Sequence, residues 1–219
     1  MQNIDLATLV IIASTVIVTL IGFKDRSFFE KYKFNIAGIK KGEKVRLFSS
    51  GFLHADVNHL LFNMLTLYFF APVVVSYLST TLFVCIYVAA LLAGSWLSFI
   101  FHKQEPYYSA IGASGAVTGV LYAAILLNPT MSLYLFFVPI PIPAWLFGVG
   151  YLLYSIYGML NKRDNIGHDA HFGGAIAGYV LTLLFAPYIL FDSLWIVCLL
   201  ALPIGLLLFL KKNNKYFKL

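Results

Sequence analysis

Ser114 stands in a stretch without a single charged residue, from Pro106 to Leu160, with Gly112 two positions before it, Gly115 directly after it and Gly119 four further on. A hydroxyl in such surroundings becomes a nucleophile when a base within ~2.6–3.2 Å takes its proton, and neutral histidine is suited to that near pH 7. His171 follows in a later apolar run, preceded by Ala170 and followed by Gly174 and Gly178. His59 and Asn63, four apart, share one face of a third run and supply two side-chain donors. The two small-residue pairs, Gly115 with Gly119 and Gly174 with Gly178, strip one face of each helix and let backbones approach. Either pair alone reads as packing, and either histidine alone reads as an interhelical hydrogen bond. Serine, histidine and two donors at the starts of three helices read as nucleophile, base and oxyanion stabilisers, the constellation of acyl transfer.

The elements that must position these residues are membrane helices. Hydrophobic residues make up 61% of the 219, charged residues 11%, and the mean hydropathy is +0.86, values outside the range of a water-soluble domain. Apolar runs fall at 6–23, 59–77, 82–101, 114–127, 144–160, 170–187 and 190–210, which predicts seven helices in one domain spanning 1–219. The runs are continuous rather than alternating, which excludes a barrel, so the fold class is all-α, a polytopic membrane helical bundle. The N-terminus lacks the basic region of a signal peptide and no small-residue cleavage site follows the first run, so the helix over 6–23 is expected to be retained. Cys85 and Cys198 sit in apolar runs and read as small hydrophobes.

If the chain crosses at each helix, the runs beginning near His59, Ser114 and His171 run in the same direction and gather their polar residues at one end. From Ser114 to Asn128 and Pro129, which should stop the helix, the rise is ~21 Å, against ~30 Å of hydrocarbon. Ser114 is therefore expected roughly 9 Å below one membrane surface, by the difference of those two lengths. The segment before it, 102–111, must then descend as irregular backbone, which is tolerated only where it lines a cavity. The first N–H groups of a helix opening at Ser114 are available to an oxyanion. Residue 116 is alanine and no strand precedes the serine, which excludes the nucleophile elbow of soluble hydrolases.

The three motifs resemble those of the rhomboid intramembrane serine proteases: His59 with Asn63, Gly112 with Ser114, Gly115 and Gly119, and Ala170 with His171, Gly174 and Gly178. The resemblance covers about 43–188 and extends to the segment 135–145. It implies a six-helix core with one extra C-terminal helix over 190–210, and a Ser114–His171 dyad. His59, Asn63 and the Gly112–Ser114 backbone would support the oxyanion. It also implies cleavage of transmembrane protein substrates in the bilayer, with no cofactor and no metal. Two positions depart from the family pattern: the Trp-Arg pair of the first loop is Val45-Arg46 here, and the aromatic four residues after the nucleophile is Thr118. Support for the His171 ring must then come from elsewhere.

Other readings differ in chemistry. A catalytically inactive rhomboid-like binder or chaperone would not need both Ser114 and His171. An intramembrane metal hydrolase using His54, His59, His168, His171 and Asp169 lacks the His-Glu-x-x-His pattern, and His168 and Asp169 read as loop residues. Asp169, two before His171, should point away from it, so a dyad is expected rather than a triad. The net charge of +6 suits anionic lipid headgroups rather than nucleic acid. Its placement bears on orientation, because all Lys and Arg fall on one side: eight in 24–58, one in 102–111, two in 161–167 and four in the tail. The positive-inside rule would make that side cytoplasmic, whereas the resemblance implies a bacterial plasma membrane with the site facing outward. The family topology is the one favoured here.

Overall fold

The computed structural model describes residues 4–134, 140–161 and 166–213. Long helices stand where the apolar runs predict them: α1 Leu6–Lys24, α2 Val57–Tyr77, α3 Thr80–His102, α4 Ser114–Leu127, α5 Ala144–Asn161, α6 His168–Phe185 and α7 Leu194–Asn213. Side-chain caps fix several starts. Asp5 accepts from the Ala7 N–H at 2.8 Å, Asp56 from the His59 N–H at 2.8 Å and Ser79 from the Leu82 N–H at 3.2 Å. Among the described residues α1, α2, α3 and the Leu194–Lys211 part of α7 are long and apolar enough to cross a membrane, and Ser114–Leu127 is a shorter apolar helix. Large apolar side chains such as Val10, Ile17, Phe69, Trp96, Leu184 and Phe209 point outward, as they must where the solvent is lipid. The protein is an integral membrane helical bundle.

α4 lies at its centre. Every residue from Gly115 to Leu127 is buried, and α2, α3 and α6 pack around it. Enclosure by protein lets a helix of 14 residues, ~21 Å long, end well short of a ~30 Å hydrocarbon layer.

The structure departs from the sequence expectation in four places. α6 starts at His168, not Ala170, so His168 and Asp169 are buried members of its first turn rather than loop residues. Gly167 takes the cap position there, and a carboxylate in the first turn is favoured by the positive helix end. α7 starts at Leu194 because residues 189–192 form a separate short helix, Ile189–Asp192, and Ser193 interrupts the path. Two small antiparallel ladders decorate the helical bundle, Phe34–Asn35 with Ser109–Ala110 and Ser132–Tyr134 with Pro141–Pro143.

The fourth departure is the polar first loop, which folds into short helices Arg26–Tyr32, Ile36–Lys40 and Arg46–Ser49 and a 3₁₀ turn Ser50–Phe52. Arg46 ties that loop together: its guanidinium donates to the carbonyl oxygens of Glu30 at 2.8 Å and Lys33 at 2.9 Å and pairs with Glu43 at 2.5 Å. The anchoring belongs to the arginine, and Val45 beside it is exposed. The expectations resting on 135–139, Lys162, Arg163 and the tail beyond Asn213 fall outside the described residues.

Candidate active site

The site is built where three helix backbones touch. A β-carbon on Gly115 would stand 3.1 Å from the Ala170 carbonyl oxygen, and one on Gly119 would stand 2.9 Å from that of Gly174. On Gly174 or Gly178 it would land on the carbonyl of Gly115 or Gly119. α3 joins the same crossing through Gly94, where an added carbon would come within 2.7 Å of the Ala170 oxygen. Ser114 adjoins Gly115 and His171 adjoins Ala170, so the two candidate catalytic residues flank a backbone contact.

A cavity of ≈ 490 Å³ opens at this end of the bundle, and His59, Gly112 and Ser114 line it together with Ser95 and Ser98 of α3. The segment before α4, including Tyr108, Ser109 and Ile111, forms another wall, the lining role expected of irregular backbone at this depth. The cap of α6, Gly167, and Ala170 in its first turn also line it. His171, the next residue, is buried at 7% exposure.

Gly112 has φ +120°, and a β-carbon there would sit 2.7 Å from the His59 ring. Only glycine meets both conditions. Its N–H donates to the Ser50 carbonyl at 3.0 Å. Asn63 is buried one helical turn beyond His59 and donates through Nδ2 to the His59 carbonyl at 2.9 Å, which uses one of the two N–H bonds of its amide. The intrahelical ladder of α4 begins with the Val117 N–H donating to the Ala113 carbonyl at 2.9 Å, so the N–H groups of Ser114, Gly115 and Ala116 precede it.

Two residues outside the nucleophile, base and oxyanion assignment support this frame. His54 is fully buried; its Nε2 accepts the Ala113 N–H at 3.3 Å, and its Nδ1 lies 2.9 Å from the Thr19 hydroxyl of α1, which donates to the Phe52 carbonyl at 2.9 Å. That pattern places the imidazole hydrogen on Nδ1. Burial, with the neighbouring His59 a lesser contributor and Asp56 opposing, pushes His54 down to about 3, so the ring is neutral. Its position five before His59 was the only sequence signal, and Thr19 carried none.

The second is Tyr151 of α5. Its hydroxyl lies 2.9 Å from His171 Nδ1, and its ring stacks on the imidazole with centroids 5.5 Å apart and planes 25° from parallel. The aromatic that the family pattern places four residues after the serine comes from another helix here. Thr118 occupies the position facing it, its Oγ1 donating to the Ser114 carbonyl at 2.7 Å and lying 3.5 Å from the Tyr151 hydroxyl.

Asp169 and the other histidines take separate places. Asp169 lies 3.6 Å from His102 Nε2, while His102 Nδ1 meets Glu105 at 2.8 Å. His168 packs edge-on against Tyr154 with centroids 5.2 Å apart. Among the described residues no group of three or more His, Cys, Asp or Glu is gathered in a way that could hold a metal ion.

A family model for the Rhomboid domain matches residues 41–188, and the chain belongs to the rhomboid family. RHOMBOID-like protein 12, mitochondrial, of Arabidopsis thaliana is 30% identical over 168 residues, covering 70% of this chain and 50% of the relative. Rhomboid protein 1, mitochondrial, of Saccharomyces cerevisiae is 30% identical over 62% of this chain and 40% of its own length. Rhomboid protease GluP of Bacillus subtilis is 34% identical over 64% of this chain and 26% of its own. The chain thus spans half or less of the length of these curated relatives.

Proposed function

We propose that this protein is an intramembrane serine endopeptidase that cleaves membrane-protein substrates within or beside their transmembrane segments. The observation that supports it most is the half-buried Ser114 at the mouth of α4, in one cavity with His59 and Gly112, next to the backbone contact that adjoins His171. In this reading Ser114 Oγ attacks the scissile carbonyl carbon while His171 takes the hydroxyl proton. The carbonyl oxygen becomes an oxyanion, met by the Ser114 N–H and by His59 and Asn63 side-chain donors, with Gly112 shaping the backbone beneath them. Collapse breaks the C–N bond, His171 returns the proton to the leaving amine, and water from the cavity hydrolyses the acyl-enzyme by the same proton route reversed. The unit is 1–219, with the catalytic core over about 43–188, and its surroundings are the lipid bilayer.

The site faces outward from a bacterial plasma membrane in this proposal, an orientation taken from the family topology against the distribution of Lys and Arg. Alkaline phosphatase fused after Leu219 should be active; activity only from a cytoplasmic reporter at that point reverses the orientation. The enzymatic reading is tested by incubating detergent-purified protein with a panel of transmembrane substrates and with a fluorophosphonate. Wild type should cleave and become labelled at Ser114, and Ser114→Ala and His171→Ala should do neither while staying folded. Turnover persisting in Ser114→Ala removes the mechanism, and an unlabelled, inactive wild type points to a binder.

A further inference from the structure

We propose that Tyr151 is the positioning residue for the base: its hydroxyl holds His171 in the tautomer with hydrogen on Nδ1, which leaves Nε2 as the nitrogen that accepts the Ser114 proton. The proposal rests on the Ser114–His171 reading for its catalytic meaning, but the tautomer itself follows from hydrogen bonds on α4, α5 and α6. A tyrosine hydroxyl can donate or accept, so the 2.9 Å contact with Nδ1 could run either way by itself. Thr118 argues for one direction. Its only hydrogen goes to the Ser114 carbonyl at 2.7 Å, so toward Tyr151 it offers lone pairs alone, and the long 3.5 Å contact is one in which Tyr151 donates. With its own hydrogen directed there, the Tyr151 oxygen accepts from Nδ1–H.

The chain of donors therefore runs from His171 Nδ1 through Tyr151 and Thr118 to the backbone of Ser114 and closes on the residue it serves. Were the direction reversed, Nε2 would carry the hydrogen and could not take a proton from serine. Stacking of the Tyr151 ring on the imidazole adds orientation to tautomer choice. A phenol does here, without charge, what a buried carboxylate does in a three-residue relay, while Asp169 lies on the His102 side, 3.6 Å from its Nε2. The small side chain at position 118 is part of the arrangement, because a bulky aromatic there would occupy the space through which Tyr151 reaches the ring.

The test uses full-length protein in detergent with ¹⁵N-labelled histidine, the His171 signal being assigned by its loss in His171→Gln. Wild type should show the Nδ1–H tautomer at His171. Tyr151→Phe keeps the ring and loses the hydroxyl; it should show a mixture of tautomers, an unchanged melting temperature, and a kcat reduced on the order of 100-fold with KM within about twofold, short of the ~10⁴ seen when a charged orienting group is lost. Thr118→Val keeps Tyr151 but frees its hydrogen to be donated to Nδ1, and should shift the same signal in the same direction by at least as much. An identical tautomer in wild type and Tyr151→Phe overturns the proposal. Should the tautomer shift as expected while wild type neither cleaves nor reacts with a fluorophosphonate, the protease reading fails and the hydrogen-bond assignment stands.

Discussion

α6 has two walls built on different terms. Toward α3 and α4 it is backbone on backbone, with Gly173, Gly174 and Gly178 set against Ala93, Gly115 and Gly119. Toward α5 it is aromatic, with Tyr151 and Tyr154 against His171 and His168. Carbonyls in a helix cannot step aside without moving the helix, whereas rings can turn about their own bonds. The first wall therefore fixes where His171 is, and the second governs how its ring is oriented. A single helix can carry a histidine to a fixed depth and still have the orientation of its ring tuned by a neighbour.

Matched glycine-to-alanine substitutions on the two walls test that division. Gly174→Ala should be the most damaging, costing about 3 kcal/mol or more because the new methyl lands on the Gly115 carbonyl, with activity lost; full activity and an unchanged melting temperature would mean that α4 and α6 do not meet there. Acid attacks the same wall from its other end, since α4 is held at Ala113 by neutral His54. The folded chain keeps His54 unprotonated down to about 3, while the unfolded chain binds the proton below the ordinary histidine value of 6.5. Stability should therefore fall as pH drops from about 6.5 toward 3, on the order of 5 kcal/mol in all. Melting scans against pH should show this slope flattened in His54→Asn, and an equal slope in both proteins removes His54 from the frame.

Gly158→Ala, on the α5 side, also points at α6, but its methyl meets the His168 ring rather than backbone. A loss of about 1–2 kcal/mol with most activity kept is the expected outcome, measured by the same scans and by cleavage of a transmembrane substrate. Gly115→Ala should be mildest, within about 1 kcal/mol, because its 3.1 Å approach to the Ala170 oxygen asks for only a few tenths of an ångström. If Gly158→Ala proves as costly as Gly174→Ala, the contrast between the walls collapses.

Much of this could be read along the chain. Long apolar runs located the helices because their boundaries are set by hydropathy and by caps close in sequence, as with Asp56 and Asn128. The glycines announced the crossing because backbone contact requires the absence of a side chain, and absence is legible. Tyr151 was not, since one tyrosine in an apolar helix looks like any other until α5 is laid beside α6. The short helices of the first loop escaped for a related reason: Arg46 holds them through carbonyls 13 and 16 residues away, and no local period records that. His168 and Asp169 read as loop residues along the chain because polarity there looks like a helix boundary, whereas burial against Tyr154 and His102 makes polar residues welcome in the first turn.

α1 turns its threonines inward. Thr8, Thr15, Thr19 and Gly22 are its buried residues, while Leu6, Val10, Ile17 and Leu20 face out, the reverse of a helix on a water-soluble domain. Residues 6–24 lie outside the span matched by the family model, yet Thr19 grips His54, and His54 grips the residue before Ser114. A sideways pull on α1 thus reaches the mouth of α4 through one hydroxyl and one ring. Replacing this segment by any equally greasy anchor would leave insertion intact and cut that tether, so α1 is a keyed part rather than an interchangeable float.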